Sequence, residues 1–308
     1  MPVSRRTFLT SVGAGSAGII ALPFISGRGR EALAAFDASL AGSLAPSPGV
    51  IRLDSNENPN GPGQRVFDAI RGDFSEANRY PRALVDEVRG LIARLHGAKP
   101  ENVILGCGSG EMLRISVQAF TSSTRALVSA APTFESPAKV AAVIGTPVKA
   151  VPVDAKLQLD LDAMATAAAG AGLVYFCNPN NPTATVHGAP DVRAFADKIG
   201  KASPQTTILI YEAYHEYVEL PAYATAVPMA LQNPRILVCR TFSKVFGMAG
   251  MRLGYGIAQP ETIAKMTPWL LDASLNELSL AAARATLGDT ARIAEQQMEA
   301  QLRQLPQV

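Results

Sequence analysis

"TTILIYEAYHEYV", Thr206 to Val218, opens on an apolar run and closes in three tyrosines, two glutamates and a histidine. A strand with one wet face alternates apolar and polar residues. Ile208-Leu209-Ile210 does not alternate, which is the pattern of a strand covered on both faces. Similar runs occur at 102–106 ("NVILG"), 125–130 ("RALVSA"), 147–153 ("PVKAVPV"), 172–178 ("GLVYFCN"), 235–242 ("RILVCRTF") and 254–258 ("GYGIA"). Helical spacing lies between or before them at 83–96, 111–120, 134–144, 160–169 and 190–201, and follows them at 260–271 and 278–303. Apolar strands alternating with amphipathic helices predict an α/β fold, a mostly parallel sheet with helices on both faces. In such sheets the chemistry collects at the carboxyl ends of the strands, where Tyr211 stands.

The chain has 308 residues, is 48% hydrophobic, and carries 28 basic and 26 acidic residues. That balance gives no electrostatic case for nucleic acid. Cys107, Cys177 and Cys239 sit far apart in or beside apolar runs and read as free thiols. His96, His187 and His215 form no ligand-spaced pair, so no metal is expected.

At the N-terminus, "SRRTFLT" (Ser4 to Thr10) places paired arginines before the apolar stretch Ser11 to Phe24, and "ALA" (Ala32 to Ala34) follows. This resembles a twin-arginine export signal cut after Ala34. The apolar stretch is too short and too rich in glycine to span a bilayer. A periplasmic protein starting near Ala35, with no membrane anchor after cleavage, is the expectation. From Pro46 to Pro62 the chain is rich in Pro, Asn and Gly and reads as an extended arm.

Three strand ends carry candidate chemistry. "GCGSGE" (Gly106 to Glu111) ends a strand and opens a helix, where small residues let backbone N–H groups approach an anion. "NPNNPTAT" (Asn178 to Thr185) holds asparagines on a proline-stiffened loop. "RTFSKVFGMAGMRLGY" (Arg240 to Tyr255) sets Lys244 after Ser243, with Arg252 nearby. A desolvated lysine has a lowered pKa and can form a Schiff base. Ser243 and Arg252 can clamp a phosphate.

In order, "DSNENPNGP", "NRYPR", "GCGSGE", "APTF", "NPNNPT", "EAYHEYV" and "SKVFGMAGMRLGY" resemble the motifs of the fold-type I aminotransferases that use pyridoxal phosphate (PLP), in the histidinol-phosphate aminotransferase-like branch. The likeness covers roughly residues 50–280. It implies that Lys244 carries PLP as a Schiff base and moves the proton. Ser243 and Arg252 would hold the phosphate, helped by the backbone at Ser109, Gly110 and Glu111. Phe134 would stack on the pyridine ring. Asn181 and Tyr214 would hydrogen-bond its phenolic oxygen, and Asn56 would lie near the substrate. Tyr80 would reach the phosphate in the other subunit of a homodimer. The partners implied are a small amino donor and a 2-oxo acid acceptor such as 2-oxoglutarate. The implied layout is a signal over 1–34, an arm over 35–80, a PLP-binding large domain over 81–270, and the start of a small domain over 271–308 with the remainder missing.

Three features depart from the family pattern. The family's strand ends in Asp-x-Ala-Tyr, and its aspartate keeps the pyridine nitrogen protonated. Here the segment is Tyr211-Glu212-Ala213-Tyr214. A phenol, with a reference pKa of about 10, can donate a hydrogen bond but supplies no charge. Side-chain alternation points Glu212 away from the ring. Ala184 stands where the family has glycine, so a positive φ there would strain the turn. Finally, the expected carboxylate-binding arginine has no counterpart after Arg252. Arg284, Arg292 and Arg303 read as solvated helix positions, and Ile293, Met298 and Leu302 as poorly covered. The resemblance implies an aminotransferase whose activity Tyr211 impairs. A non-catalytic homologue, and a PLP racemase or lyase using an unprotonated nitrogen, remain alternatives.

Overall fold

The structure is a computed structural model, and residues 54–288 are described. The expected signal, its cleavage site, the arm up to residue 53, and Arg292, Ile293, Met298, Leu302 and Arg303 lie outside the described residues.

Seven strands form one sheet: β1 Val103–Cys107, β2 Leu127–Ala131, β3 Val148–Pro152, β4 Leu173–Cys177, β5 Thr207–Tyr211, β6 Ile236–Thr241 and β7 Leu253–Ile257. Their spatial order is β1-β7-β6-β5-β4-β2-β3. The pairs from β6 through β5, β4 and β2 to β3 are parallel, whereas β7 runs antiparallel to both β6 and β1. The expected mostly parallel sheet is therefore present, with β7 reversed. Strand-to-helix crossovers supply α3 Ser109–Phe120, α4 Ser136–Val143, α5 Leu161–Ala167 and α6 Ala189–Ala202.

The period-2 geometry of the strands sorts their side chains into two cores. Ile208 and Ile210 of β5 join Ile236 and Val238 of β6 on one face. Leu209 and Tyr211 join Leu237 and Cys239 on the other. Cys177, Tyr211 and Cys239 are direct neighbours across β4, β5 and β6. The three cysteines are free thiols.

Two helices correct the sequence reading. Gln64–Gly72 (α1) is helical just beyond the proline-rich arm, and its buried anchor is Val66. Val227–Gln232 (α7) is a single short helix with a proline in its first turn. The chain also forms α2 over Arg82–Leu95, α8 over Pro260–Met266 and α9 over Glu277–Leu287. The helix expected over 260–271 is shorter because it tightens into a 3-10 turn at Thr267–Trp269. Helix α9 packs mainly on α1 and α2, with a smaller contact to β7, burying Leu280, Ala281, Ala282 and Ala283. Arg284 is not simply solvated: it pairs with Asp73 at 3.0 Å and lies 3.7 Å from Glu87. Among the described residues no helix is long and apolar enough to cross a membrane.

Candidate active site

The residues at the carboxyl ends of β1, β4, β5 and β6 converge on one side of the sheet. At the anion end, Gly108 caps α3 with φ +76°, and a Cβ there would meet Arg252 Nη2 at 2.2 Å. The positive φ disfavours any side chain at Gly108, and the guanidinium, the movable end of Arg252, lies against the backbone at the helix N-terminus. Arg252 reaches this place from a left-handed backbone (φ 55°). Its Nη1 donates to the Ala249 carbonyl at 2.9 Å and, at 3.4 Å, to Ser243 Oγ. The first turn of α3 carries Ser109 and Gly110, where a helix leaves N–H donors without internal acceptors. The Glu111 N–H already donates to Gly108 O at 3.1 Å, which narrows the expected backbone donors to Ser109 and Gly110. The Glu111 carboxylate points elsewhere. It accepts from Cys107 N at 2.7 Å and Ser274 Oγ at 3.1 Å, tying the turn to the 271–274 segment.

At the lysine end, Lys244 Nζ donates to the Asn56 carbonyl at 3.0 Å and lies 5.6 Å from the Tyr214 ring centroid. Burial lowers the pKa of this amine. The nearby Glu57 opposes the shift, and Arg252 adds to it. Asn56 Nδ2 donates to Tyr214 Oη at 3.2 Å. Asn56, Asn181 and Tyr214 line a cavity of about 350 Å³ together with Pro179, Pro182 and Leu220.

The arm segment 56–63 runs as a strap over the lysine turn. Asn58 Nδ2 donates to the Val245 carbonyl at 2.9 Å. Gly247 has φ +64°, and a Cβ there would lie 2.3 Å from the Gly61 carbonyl carbon. Sequence reasoning missed both contacts. The only signal for them was the pairing of two glycine-bearing turns.

Tyr211 fills the floor between the two ends. It is 6% exposed, and its hydroxyl is 2.8 Å from Ser109 Oγ. Its ring centroid lies 6.1 Å from that of Phe134. Burial raises its pKa far above the phenol range, so it stays protonated.

Glu212 faces the opposite side, as alternation requires. Its Oε2 accepts from Arg240 Nη2 at 2.7 Å, Arg240 Nε at 3.0 Å and Thr225 Oγ1 at 2.8 Å, and its Oε1 from Ala226 N at 2.7 Å. Tyr80 is not brought to these groups within one chain. It is 75% exposed and borders a separate surface groove with Arg82 and Leu270.

Ala184 has φ 56°, the positive value that makes alanine unfavourable. Its N–H donates to Asn180 O at 2.8 Å, and Asn180 N–H donates to Thr185 O at 2.9 Å. The turn is thus held in place on both sides. A left-handed alanine costs about 1–2 kcal/mol, more than the roughly 0.4–1 kcal/mol of chain freedom that glycine adds to the unfolded state. Ala184→Gly should therefore raise the urea midpoint modestly. A lower midpoint with unchanged slope would count against this account.

The model of the aminotransferase class I and II family matches residues 48–308. A histidinol-phosphate aminotransferase of Symbiobacterium thermophilum is 36% identical over 245 residues, covering 79% of this chain and 66% of that protein. An aromatic amino acid aminotransferase of Nocardia farcinica is 34% identical over 245 residues, covering 78% and 68%. The crystal structure of histidinol-phosphate aminotransferase from Sinorhizobium meliloti, in complex with pyridoxal-5'-phosphate, superposes with a TM-score of 0.75 at 27% identity, covering 81% of this chain and 67% of that one. The chain spans about two thirds of the length of the curated relatives it matches.

Proposed function

The chain belongs to the class I and II aminotransferases, a PLP-dependent family, and from that premise we propose that it transfers amino groups through Lys244, at a rate that Tyr211 holds down. The observation that carries the reading is the half-buried Lys244 amine lying against Asn56 and Tyr214, two of the residues that line the cavity with Asn181. The proposed substrates are an amino acid or an amino-alcohol phosphate and a 2-oxo acid. A homodimer with shared sites remains part of the proposal, and the outward-facing Tyr80 is its support.

The residues present fit the cofactor at two of its three ends. The Gly108 cradle under the Arg252 guanidinium suits a phosphate, as charge-assisted donors and a helix N-terminus favour an anion. Lys244, whose pKa burial lowers, suits an amine that must react as a nucleophile and then relay a proton. The place of the ring nitrogen does not match, because the phenol of Tyr211 stands there without charge. PLP, when bound, supplies a carbonyl carbon for the amine and a ring that withdraws electrons from the substrate carbon.

The chain's own groups would then divide the work. Arg252, Ser243 and the N–H groups of Ser109 and Gly110 hold the phosphate. Phe134 walls the ring. Asn181 and Tyr214 offer hydrogen bonds on the cavity side. Lys244 Nζ would take a proton from the substrate carbon and return it two bonds away, at the carbon that the cofactor's carbonyl supplies. Tyr211 can donate a hydrogen bond but cannot stabilise a positive nitrogen, which is the basis of the slowed rate.

Tyr211→Asp tests this reading. A hydrogen bond to a charged group is worth about 1.5–3 kcal/mol, so the variant should speed the amino-donor half-reaction roughly ten- to hundredfold. A wild type that already turns over rapidly, and that Tyr211→Asp slows, would remove the proposed handicap.

A further inference from the structure

Tyr211 occupies the position of the nitrogen partner, yet its hydroxyl is bonded elsewhere. At 2.8 Å from Ser109 Oγ, it is engaged with the first residue of α3, whose N-terminus forms the anion end of the site. The ring is held against Phe134 and Tyr175. Both members of the hydrogen bond are buried, Tyr211 at 6% and Ser109 at 7% exposure.

Either oxygen could supply the proton, but the two are not equivalent. A phenol is the more acidic hydroxyl and the better donor. A tyrosine that stays protonated at every ordinary pH keeps that donor available. When the phenol donates, Ser109 Oγ becomes the acceptor. The serine's own proton is then free for a third group. The Arg252 guanidinium lies on the preceding residue, Gly108, so an anion bound there would be the natural acceptor.

Resting on the PLP reading above, we infer that Tyr211 is a positioning residue of the phosphate subsite: it orients the Ser109 hydroxyl as a donor to the phosphate and does not serve the ring nitrogen. Phosphate affinity would then be reinforced by the residue at the end of β5, whose hydroxyl is engaged with Ser109 rather than left for the ring. The substitution moves one side chain's work from one end of the ligand to the other.

The test is titration of the cofactor-free full chain with inorganic phosphate, for the wild type, Tyr211→Phe, Ser109→Ala and the double variant. Loss of one hydrogen bond should weaken phosphate binding about three- to tenfold in each single variant. The double variant should be no weaker than either single, because the two hydroxyls act as one chain. Phenylalanine preserves the ring packing, and Ser109→Ala approaches the same bond from its other side, so a folding defect in one variant leaves the other informative. Thermal melting of each variant accompanies the titration; affinity losses that track Tm would mark a merely structural role and overturn the proposal. Phosphate affinity unchanged in Tyr211→Phe, or additive losses in the double variant, would also overturn it.

Pyridoxal, which lacks the phosphate, separates this result from the reading it rests on. A visible absorption band on adding pyridoxal that disappears in Lys244→Ala supports the lysine assignment. Its weakening by Tyr211→Phe to the same degree as phosphate binding would assign the phenol to the ring and overturn the inference. Absence of any lysine-dependent band would refute the PLP reading, while the phosphate titration would still report on the Tyr211–Ser109 pair.

Discussion

Lys244→Ala is expected to abolish the visible absorption band that forms on adding PLP and to slow amino transfer by at least about a thousandfold. The size follows from two losses at one atom. General acid–base catalysis by a positioned side chain is worth roughly 10²–10⁴ in rate, and the covalent route through the amine is lost as well. The geometry makes Lys244 the residue to test. Its amine lies 3.0 Å from the Asn56 carbonyl and 5.6 Å from the Tyr214 ring centroid, with its proton affinity reduced by burial. Absorption spectra and single-turnover rates with an amino donor are the measurements. A variant that keeps the band and transfers amino groups at the wild-type rate would show that the amine lies elsewhere.

Glu212→Ala should cost about 3–5 kcal/mol of folding stability, the usual penalty for stranding one member of a buried ion pair. Arg240 is 5% exposed, and the pair is two-pronged, with both Nε and Nη2 on one carboxylate oxygen. The other oxygen receives the Ala226 N–H just before α7, so truncation also leaves a backbone donor unmatched. Glu216 is a poor substitute. It lies 3.9 Å from Arg240, and burial pushes its pKa up to about 7, leaving it largely neutral in mildly acid solution. The loss in Glu212→Ala should therefore be smaller wherever Glu216 ionises, and removing the Glu212 charge while leaving Arg240 moves that ionisation to lower pH than in the wild type. Urea unfolding at several pH values measures this. Glu212→Gln combined with Arg240→Met keeps an acceptor for Ala226 and removes the stranded charge, so it should lose less than Glu212→Ala alone. Equal losses at every pH, or a milder effect of Glu212→Ala than of the double change, would contradict the assignment.

The sheet was legible because burial on both faces leaves an unbroken apolar run, as at Ile208–Ile210 and Leu173–Cys177. The direction in which Glu212 points was legible too, because strand alternation has a period of two. Its partner was not identified, although the signal existed. Arg240 is the penultimate residue of the neighbouring strand, on the face that alternation gives to Ile236 and Val238, and two opposite charges near adjacent strand ends on one apolar face must meet or remain unpaired. Helix α1 escaped notice because the preceding arm is rich in proline and glycine and only Val66 of the helix is fully buried. Helix α7 has six residues, too few to display a helical period. The Tyr211–Ser109 bond joins residues 102 positions apart, and no local pattern announces such a contact. The positive φ of Ala184 was foreseeable only from the glycine expected there.

The strap over the lysine turn has a consequence for the order in which the chain assembles. Asn58 reaches Val245 across 187 residues, and Asn56 reaches Tyr214 across 158. Closing a loop of that length costs about 5 kcal/mol in chain entropy, which a few hydrogen bonds cannot offset by themselves. The strap can therefore settle only on a sheet that has already formed, since contacts of high sequence separation come late. Lys244 stays uncovered through most of folding and gains its lid last. Held by a few hydrogen bonds, residues 56–63 are expected to detach before the sheet unfolds under mild denaturant, and protease nicking there would report the opening of the site.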